Sequence, residues 1–188
     1  MALITLSEIL GMLAITAGVG YVFSGFIQKP RTTIEQLYMR HGFNWEDFKF
    51  AAMIAAPAVI LHELGHKFVS IALGFPAVLK VFWMGLGIGI VLKIFHAPFL
   101  ILAPAYVQIS SATPGLQTAL IAFAGPFVNL VLWLGSSLYL KKARRLSQTK
   151  AVALLLSARI NKLLFIFNLI PLPPLDGSKV LAGILAAL

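Results

Sequence analysis

"FAAMIAAPAVILHELGHKFVSIAL", residues 50–73, is the stretch of sequence that decides the fold. It is apolar almost throughout and long enough to cross a membrane, which takes about 20 mostly apolar residues. Yet it contains His62, Glu63 and His66. Ionisable side chains are costly inside a bilayer, and where they occur they are usually functional. The stretch therefore predicts a membrane-spanning helix that carries a site.

The composition of the whole chain also indicates a membrane protein. Its 188 residues are 60% hydrophobic and 11% charged, and the mean hydropathy is +0.93. Ordinary globular domains are about 45–50% apolar and about 25% charged. This excess of apolar residues does not fit a protein with one soluble core. It predicts a multi-pass integral membrane protein, which we expect in the cell membrane.

The charged residues and the lack of cysteine exclude several classes of function. The net charge is +9, and the basic residues cluster between apolar runs, as they do in membrane loops. Basic and aromatic residues do not interleave as in nucleic-acid binders, so we expect no nucleic-acid partner. Without cysteine the chain has no disulfides, thiolate ligands or cysteine nucleophile. The N-terminus lacks a basic region, so we expect a permanent first span rather than a signal peptide.

Apolar runs predict about four transmembrane helices, at about 3–27, 50–73, 116–140 and 159–187. We expect a loop with a short helix at 28–49, and an interfacial lead-in to the last span at 151–158. The prolines of "PLPPLDG", residues 171–177, break the last span, because proline lacks a donor and clashes with the preceding turn. Open backbone at membrane depth is tolerated only inside protein or beside a wet cavity, so the break is a candidate site.

The segment 76–114 allows two interpretations. It is apolar enough to span a membrane but contains Lys93, His96, prolines and many glycines. A re-entrant hairpin is favoured, and a fifth crossing is the alternative. We therefore predict an all-α membrane protein, one domain over 1–188, with a first span within 1–27 and a catalytic core over 50–187. It is a bundle of about four transmembrane helices, the last broken by prolines, with a re-entrant hairpin or short strands between the second and third.

The two histidines of the opening stretch have the spacing of metal ligands. His62 and His66 are four residues apart, so on a helix they share one face and can bind one ion. Neutral imidazole suits zinc. Glu63 lies beside them and can act as a general base, which is the H-E-x-x-H arrangement of metalloproteases. The alternative is that the three side chains pair with one another inside a bundle.

A catalytic zinc site needs a third protein ligand. His41 lies in a polar loop, His96 is expected to hydrogen-bond within its own segment, and Glu8 lies near a span end. Asp176 remains, at the proline break inside an apolar run, where a carboxylate needs a cation. The alternative is that Asp176 caps a helix that starts at Gly177, since aspartate is a good N-cap.

At these residues the chain resembles the site-2 protease family of intramembrane zinc metalloproteases. "HELGH" at 62–66 matches the family's H-E-x-x-H, "AGPFVN" at 124–129 its G-P-x-x-N, and "NLIPLPPLDG" at 168–177 its N-x-x-P-x-P-x-L-D-G. The resemblance covers about residues 50–187. Without an inserted PDZ domain, the chain is most similar to minimal archaeal or bacterial members.

The resemblance implies a zinc metalloendopeptidase that cleaves transmembrane segments of other proteins within the lipid bilayer. It implies that His62, His66 and Asp176 bind one Zn²⁺ per chain and that Glu63 is the general base. The segment 76–114 is our candidate for a strand edge that pairs with an unwound substrate. A metal transporter and an inactive relative that binds transmembrane helices are the alternatives.

The resemblance also suggests two helper residues. Asn129 matches a family asparagine near the metal, whose amide could hold the scissile carbonyl or its oxyanion. The alternative for Asn129 is an interhelical hydrogen bond. Asn168 has the same role, or it fixes the broken helix. We expect Gly125 and Pro126 to shape their helix rather than to take part in chemistry.

Overall fold

A computed structural model of the chain describes residues 3–31, 42–97, 103–110 and 115–188. His41 and parts of the 76–114 segment lie outside the described residues. Within the described ranges the elements, in chain order, are α1 Leu6–Phe23, α2 Trp45–Ala72, β1 Ala77–Val81, α3 Trp83–Ile94, β2 Ala105–Ile109, α4 Leu116–Lys142, α5 Gln148–Asn168 and α6 Asp176–Leu185.

Four of these helices, α1, α2, α4 and α5, are long and apolar enough to cross a membrane, judged by length and composition. Many of their large apolar side chains are exposed, as lipid-facing residues are; examples are Leu13, Met53 and Leu134. The prediction of an all-α bundle with four spanning helices is therefore confirmed, and the fold indicates a multi-pass membrane protein.

Helix α2, which contains the opening stretch, has clear start and stop signals. The side chain of Asn44 accepts hydrogen bonds from the backbone N–H groups of Glu46 and Asp47, at 2.9 and 3.0 Å. Such a side chain satisfies donors that have no partner within the helix. Beyond the helix end, Gly74 has a φ of +87°, a conformation that glycine adopts without strain. The 28 residues form a helix about 42 Å long, so α2 exceeds the roughly 30 Å hydrocarbon core.

Helices α2 and α4 form the centre of the bundle. Helix α1 packs against α2, while α5 and α6 pack against α4. The backbones of α2 and α4 come close at Gly65, where a Cβ would lie 2.9 Å from the carbonyl oxygen of Ala124. Small residues allow such close approach between membrane helices. The histidine-bearing turn of α2 therefore faces α4 directly.

The chain between α2 and α4 folds back on itself. Strands β1 and β2 are antiparallel, with Ala77 opposite Ile109 and Val81 opposite Ala105. Between them lies α3, whose 12 residues extend only about 18 Å. That is too short to cross the hydrocarbon core. The expectation of short strands between the second and third spans is confirmed, and the structure favours the hairpin over a fifth crossing.

The predicted limits of the last span, 159–187, are wrong. The spanning helix is α5, which begins at Gln148 and ends at Asn168. It includes the supposed lead-in 151–158, because Ser147 caps its start and the apolar sequence runs on without a break. Residues 169–175 then form the irregular proline segment, and α6 begins at Asp176. The prolines thus follow a complete span rather than interrupting its middle.

Candidate metal centre

Two elements bring three candidate ligands to one point. His62 and His66 lie one turn apart on α2, and Asp176 is the first residue of α6. The Nε2 atoms of the two histidines are 3.1 Å apart, and Oδ2 of Asp176 lies 3.1 Å from that of His62 and 3.2 Å from that of His66. All three residues are buried. We call these residues the ligand cluster.

The geometry and donor set of the ligand cluster fit zinc. Three atoms about 3.1 Å apart form a triangle whose centre lies about 1.8 Å from each corner, near the zinc–ligand lengths of about 2.0–2.2 Å. Two imidazoles and one carboxylate are also a ligand set found in catalytic zinc sites, which keep a further position open. These residues can therefore hold the ion that the sequence predicts.

The other ring nitrogens fix the orientation of both histidines. Nδ1 of His66 lies 2.7 Å from the carbonyl oxygen of Ile121, which can only accept, so that nitrogen carries the hydrogen. Nδ1 of His62 lies 2.6 Å from Oδ1 of Asn129. Metal-binding histidines usually donate from the second nitrogen in this way. Each ring is thus arranged to turn an Nε2 lone pair toward the centre of the cluster.

Gly125 on α4 keeps space open above the two imidazoles. A Cβ at this position would lie 2.3 Å from Nε2 of His66 and 2.7 Å from Nε2 of His62. Carbon and nitrogen cannot approach so closely without displacement. Gly125 is expected from the sequence to shape its helix, and the structure shows that its missing side chain also leaves room at the ligand atoms.

The carboxylate of Asp176 lies with the histidines and not on the start of its own helix. Leu175 is the residue before α6, and no side chain makes a capping hydrogen bond there. The other oxygen of Asp176, Oδ1, is 3.8 Å from the ammonium group of Lys179, which is exposed. This placement favours the ligand role over the capping alternative.

Glu63 lies at the edge of the same site. It is partly buried on α2 between the two histidines. Its carboxylate is within electrostatic range of His62, His66 and Asp176. The general-base role of Glu63 remains a prediction.

The two candidate helper asparagines occupy different surroundings. Asn129 reaches the ligand cluster, but its Nδ2 donates to the carbonyl oxygen of Ala58 at 3.0 Å and to Oδ1 of Asn161 at 2.8 Å. Both amide hydrogens are therefore engaged, which favours the interhelical hydrogen bond over an oxyanion contact. The amide of Asn168 donates to the carbonyl oxygen of Leu164 within the last turn of α5. This contact agrees with the alternative that Asn168 fixes the helix end.

Sequence reasoning missed Asn161 and Lys179. A buried amide in an apolar helix is the kind of signal that identified the histidines, so Asn161 could have been found in the same way. Lys179 follows Asp176 by three residues, which places both on one side of a helix.

The fold and the ligand cluster together describe a helical membrane protein with a buried His–His–Asp group that could hold a metal ion. The chain is 29% identical over 155 residues to a Methanocaldococcus jannaschii protein named "Putative zinc metalloprotease", covering 79% of this chain and 80% of that protein. It is 32% identical over 143 residues to a Synechocystis protein with the same description, covering 76% of this chain and 33% of that protein. The chain thus spans about a third of the Synechocystis protein.

No family model matches the chain, and no solved structure matches it. The names of the two relatives agree with the chemistry of the ligand cluster. Together they support a zinc metalloprotease family and zinc as the metal.

Proposed function

We propose that this protein is an intramembrane zinc metalloprotease of the site-2 protease type, located in the cell membrane. It holds one Zn²⁺ per chain through His62, His66 and Asp176. Its substrates are transmembrane segments of other membrane proteins. The observation that carries the proposal is the convergence of three ligand atoms, each about 3.1 Å from the others, inside a bundle of membrane-spanning helices.

A zinc ion bound at this centre would polarise the scissile carbonyl and make water easier to deprotonate. Glu63 then acts as general base and takes the proton of the attacking water. The same carboxyl group returns the proton to the nitrogen of the leaving amine. Asn129 and the carbonyl of Ile121 keep the histidine rings in place during these steps.

A transmembrane helix must unwind before it can be cut, because its carbonyl groups are hydrogen-bonded within the helix. We propose that the unwound segment pairs as a strand with the small sheet. On β1 the N–H of Leu79 donates to Oε1 of Glu8, at 2.8 Å, instead of to a neighbouring strand. A substrate strand that pairs at this point of β1 must therefore replace the carboxylate of Glu8.

Purified protein in liposomes with a model transmembrane substrate tests the proposal. We expect Glu63→Gln to reduce cleavage by at least about 100-fold, since general acid–base catalysis contributes 10²–10⁴-fold. Zinc should stay bound, because Glu63 is not one of the three ligands. Glu46→Gln is the matched control: it removes an exposed carboxylate from the same helix and should leave cleavage unchanged.

Two outcomes would contradict the proposal. Full activity in Glu63→Gln would remove Glu63 as the base. Bound zinc without cleavage in the unmodified protein would favour the non-proteolytic alternatives, a helix-binding relative or a metal transporter.

A further inference from the structure

A chain of buried amides extends from His62 to a helix that carries none of the proposed ligands. Asn129 on α4 and Asn161 on α5 are 0% and 1% exposed. Nδ2 of Asn129 donates to Oδ1 of Asn161 at 2.8 Å, and Oδ1 of Asn129 faces Nδ1 of His62 at 2.6 Å. Three helices, α2, α4 and α5, are thus joined by consecutive side-chain hydrogen bonds.

The direction of each hydrogen bond in this series of amides follows from two backbone carbonyls. Nδ2 of Asn161 lies 2.9 Å from the carbonyl oxygen of Ser157, and Nδ2 of Asn129 lies 3.0 Å from that of Ala58. A carbonyl oxygen only accepts, so the NH₂ end of each amide must face it. The amide oxygen of Asn161 must then face Asn129, and the amide oxygen of Asn129 must face His62.

This direction determines the tautomer of His62. Since Oδ1 of Asn129 is an acceptor, the hydrogen of the imidazole must lie on Nδ1 of His62. Its Nε2 then presents a lone pair to Asp176 and His66. For His66 the same function is performed by a backbone carbonyl, that of Ile121, which no side-chain substitution removes. For His62 it depends on the side chain of Asn129, which is held by the carbonyl of Ala58 and by the side chain of Asn161.

We infer that Asn161 is a positioning residue of the metal centre, which acts through Asn129 to set the tautomer and ring plane of His62. The inference rests on the proposed zinc site. Asn161 itself contacts neither the ligand atoms nor a substrate bound to them. Together with the carbonyl of Ala58, its oxygen holds the Asn129 amide in the one orientation that keeps the hydrogen of His62 away from the metal side.

Zinc affinity, measured by competition with a chelator, tests this role. Asn161→Leu keeps a similar volume but leaves one amide hydrogen of Asn129 unpaired, and we expect a 10- to 100-fold loss of affinity, as is typical for partners of metal-binding histidines. The absorption spectrum of the Co²⁺-loaded variant should shift as well. Asn161→Asp, which a buried site without a cation keeps as the neutral acid, presents its carbonyl oxygen to Asn129 and its O–H to the carbonyl of Ser157, and should retain most of the affinity.

Ser157→Ala is the matched control. It removes a hydroxyl 3.3 Å from the Asn161 amide but keeps the backbone carbonyl that orients it, so affinity should stay within about twofold. If Asn161→Leu unfolds more readily without metal yet binds zinc as tightly as the unmodified protein, Asn161 is only structural and the inference is wrong.

A measurement on the unmodified, zinc-loaded protein tests the tautomer on which the inference depends, even if Asn161→Leu does not fold. The sequence contains four histidines, so selective ¹⁵N labelling gives few signals. We expect His62 to carry its hydrogen on Nδ1, and a hydrogen on Nε2 would overturn the inference. Absence of zinc from the unmodified protein would instead contradict the proposed function, which separates the two failures.

Discussion

Two buried polar clusters adjoin on α2, at the consecutive residues His66 and Lys67, and they are built in opposite ways. One is the ligand cluster. The other, which we call the Glu8–Lys67 cluster, joins Glu8 of α1 to Lys67 of α2 by an ion pair in which the two residues are 2% and 1% exposed. Oε1 of Glu8 also accepts from the N–H of Leu79, and Oε2 from the backbone N–H and hydroxyl of Thr5.

The difference between the clusters lies in their donors. In the Glu8–Lys67 cluster each carboxylate oxygen has two donors, and an opposite charge is buried with it. In the ligand cluster the histidine hydrogens are held on the far sides of the rings, so two lone pairs and a carboxylate face one another. The ammonium group beside Asp176 belongs to Lys179, which is 3.8 Å away and exposed. Buried charge without a partner is costly, so two neutral imidazoles facing Asp176 favour a bound cation at the ligand cluster.

Removing a ligand should have the largest effect. Asp176→Ala takes away the carboxylate, and we expect zinc content to fall from about one ion per chain to nearly none, because three protein ligands are the usual minimum for a catalytic site. Cleavage should disappear with it. Elemental analysis of the purified variant measures this directly. Unchanged stoichiometric zinc in Asp176→Ala would remove Asp176 from the ligand set.

Filling the space beside the two imidazoles from α4 should have the next largest effect. Gly125→Ala places a methyl group less than 3 Å from both Nε2 atoms, so we expect zinc affinity to fall by about 100-fold, the upper end of the loss caused by changes around metal ligands. Gly135→Ala on the same helix meets nothing within 4 Å and should bind zinc normally. Equal zinc affinity in the two variants, measured by chelator competition, would show that Gly125 is not needed to keep the site open.

Breaking the Glu8–Lys67 cluster should reduce stability and not metal binding. Glu8→Leu leaves Lys67 buried without its partner, which costs about 3–5 kcal/mol of unfolding free energy. The double variant Glu8→Leu/Lys67→Met should recover most of that loss, since a buried pair replaced by apolar residues is often neutral. Denaturant unfolding in detergent gives both values. A loss of zinc per folded chain in the double variant would instead link this cluster to the metal centre.

The smallest effect is expected at Lys179, the exposed cation beside the ligand cluster. Its ammonium group competes with zinc for the charge of Asp176, so Lys179→Met should raise zinc affinity. Exposed pairs are worth about 0–1 kcal/mol, which limits the gain to roughly fivefold. A large loss of affinity in this variant would show that Lys179 has a positive role in the site.

The sequence was sufficient to predict the features that depend on the local spacing of residues or on a marked excess of apolar residues. A helix places residues four apart on one face, so His62 and His66 had to lie together once α2 was recognised. Asp176 stood out because a carboxylate is rare among apolar residues. The spanning helices followed from hydropathy, and the reversal between α2 and α4 from its glycines and prolines.

The remaining features depend on packing between distant segments. Asn129 and Asn161 are 32 residues apart, and their hydrogen bond exists only because α4 packs against α5. The space beside Gly125 likewise depends on how closely α4 approaches the histidines. The predicted start of the last span, at 159, is wrong because the span was placed around the prolines of 171–177, although the apolar residues 151–158 belong to α5.

The ligand cluster also has a consequence for the chain as a polymer. His62 and Asp176 are separated by 114 residues, a stretch that includes the hairpin, α4 and α5. An ion held at both ends closes this stretch into one large loop, and closure of a long loop restricts the unfolded chain strongly. In a protein without cysteine, zinc would therefore serve as a reversible cross-link that ties the C-terminal helix to the centre of the bundle.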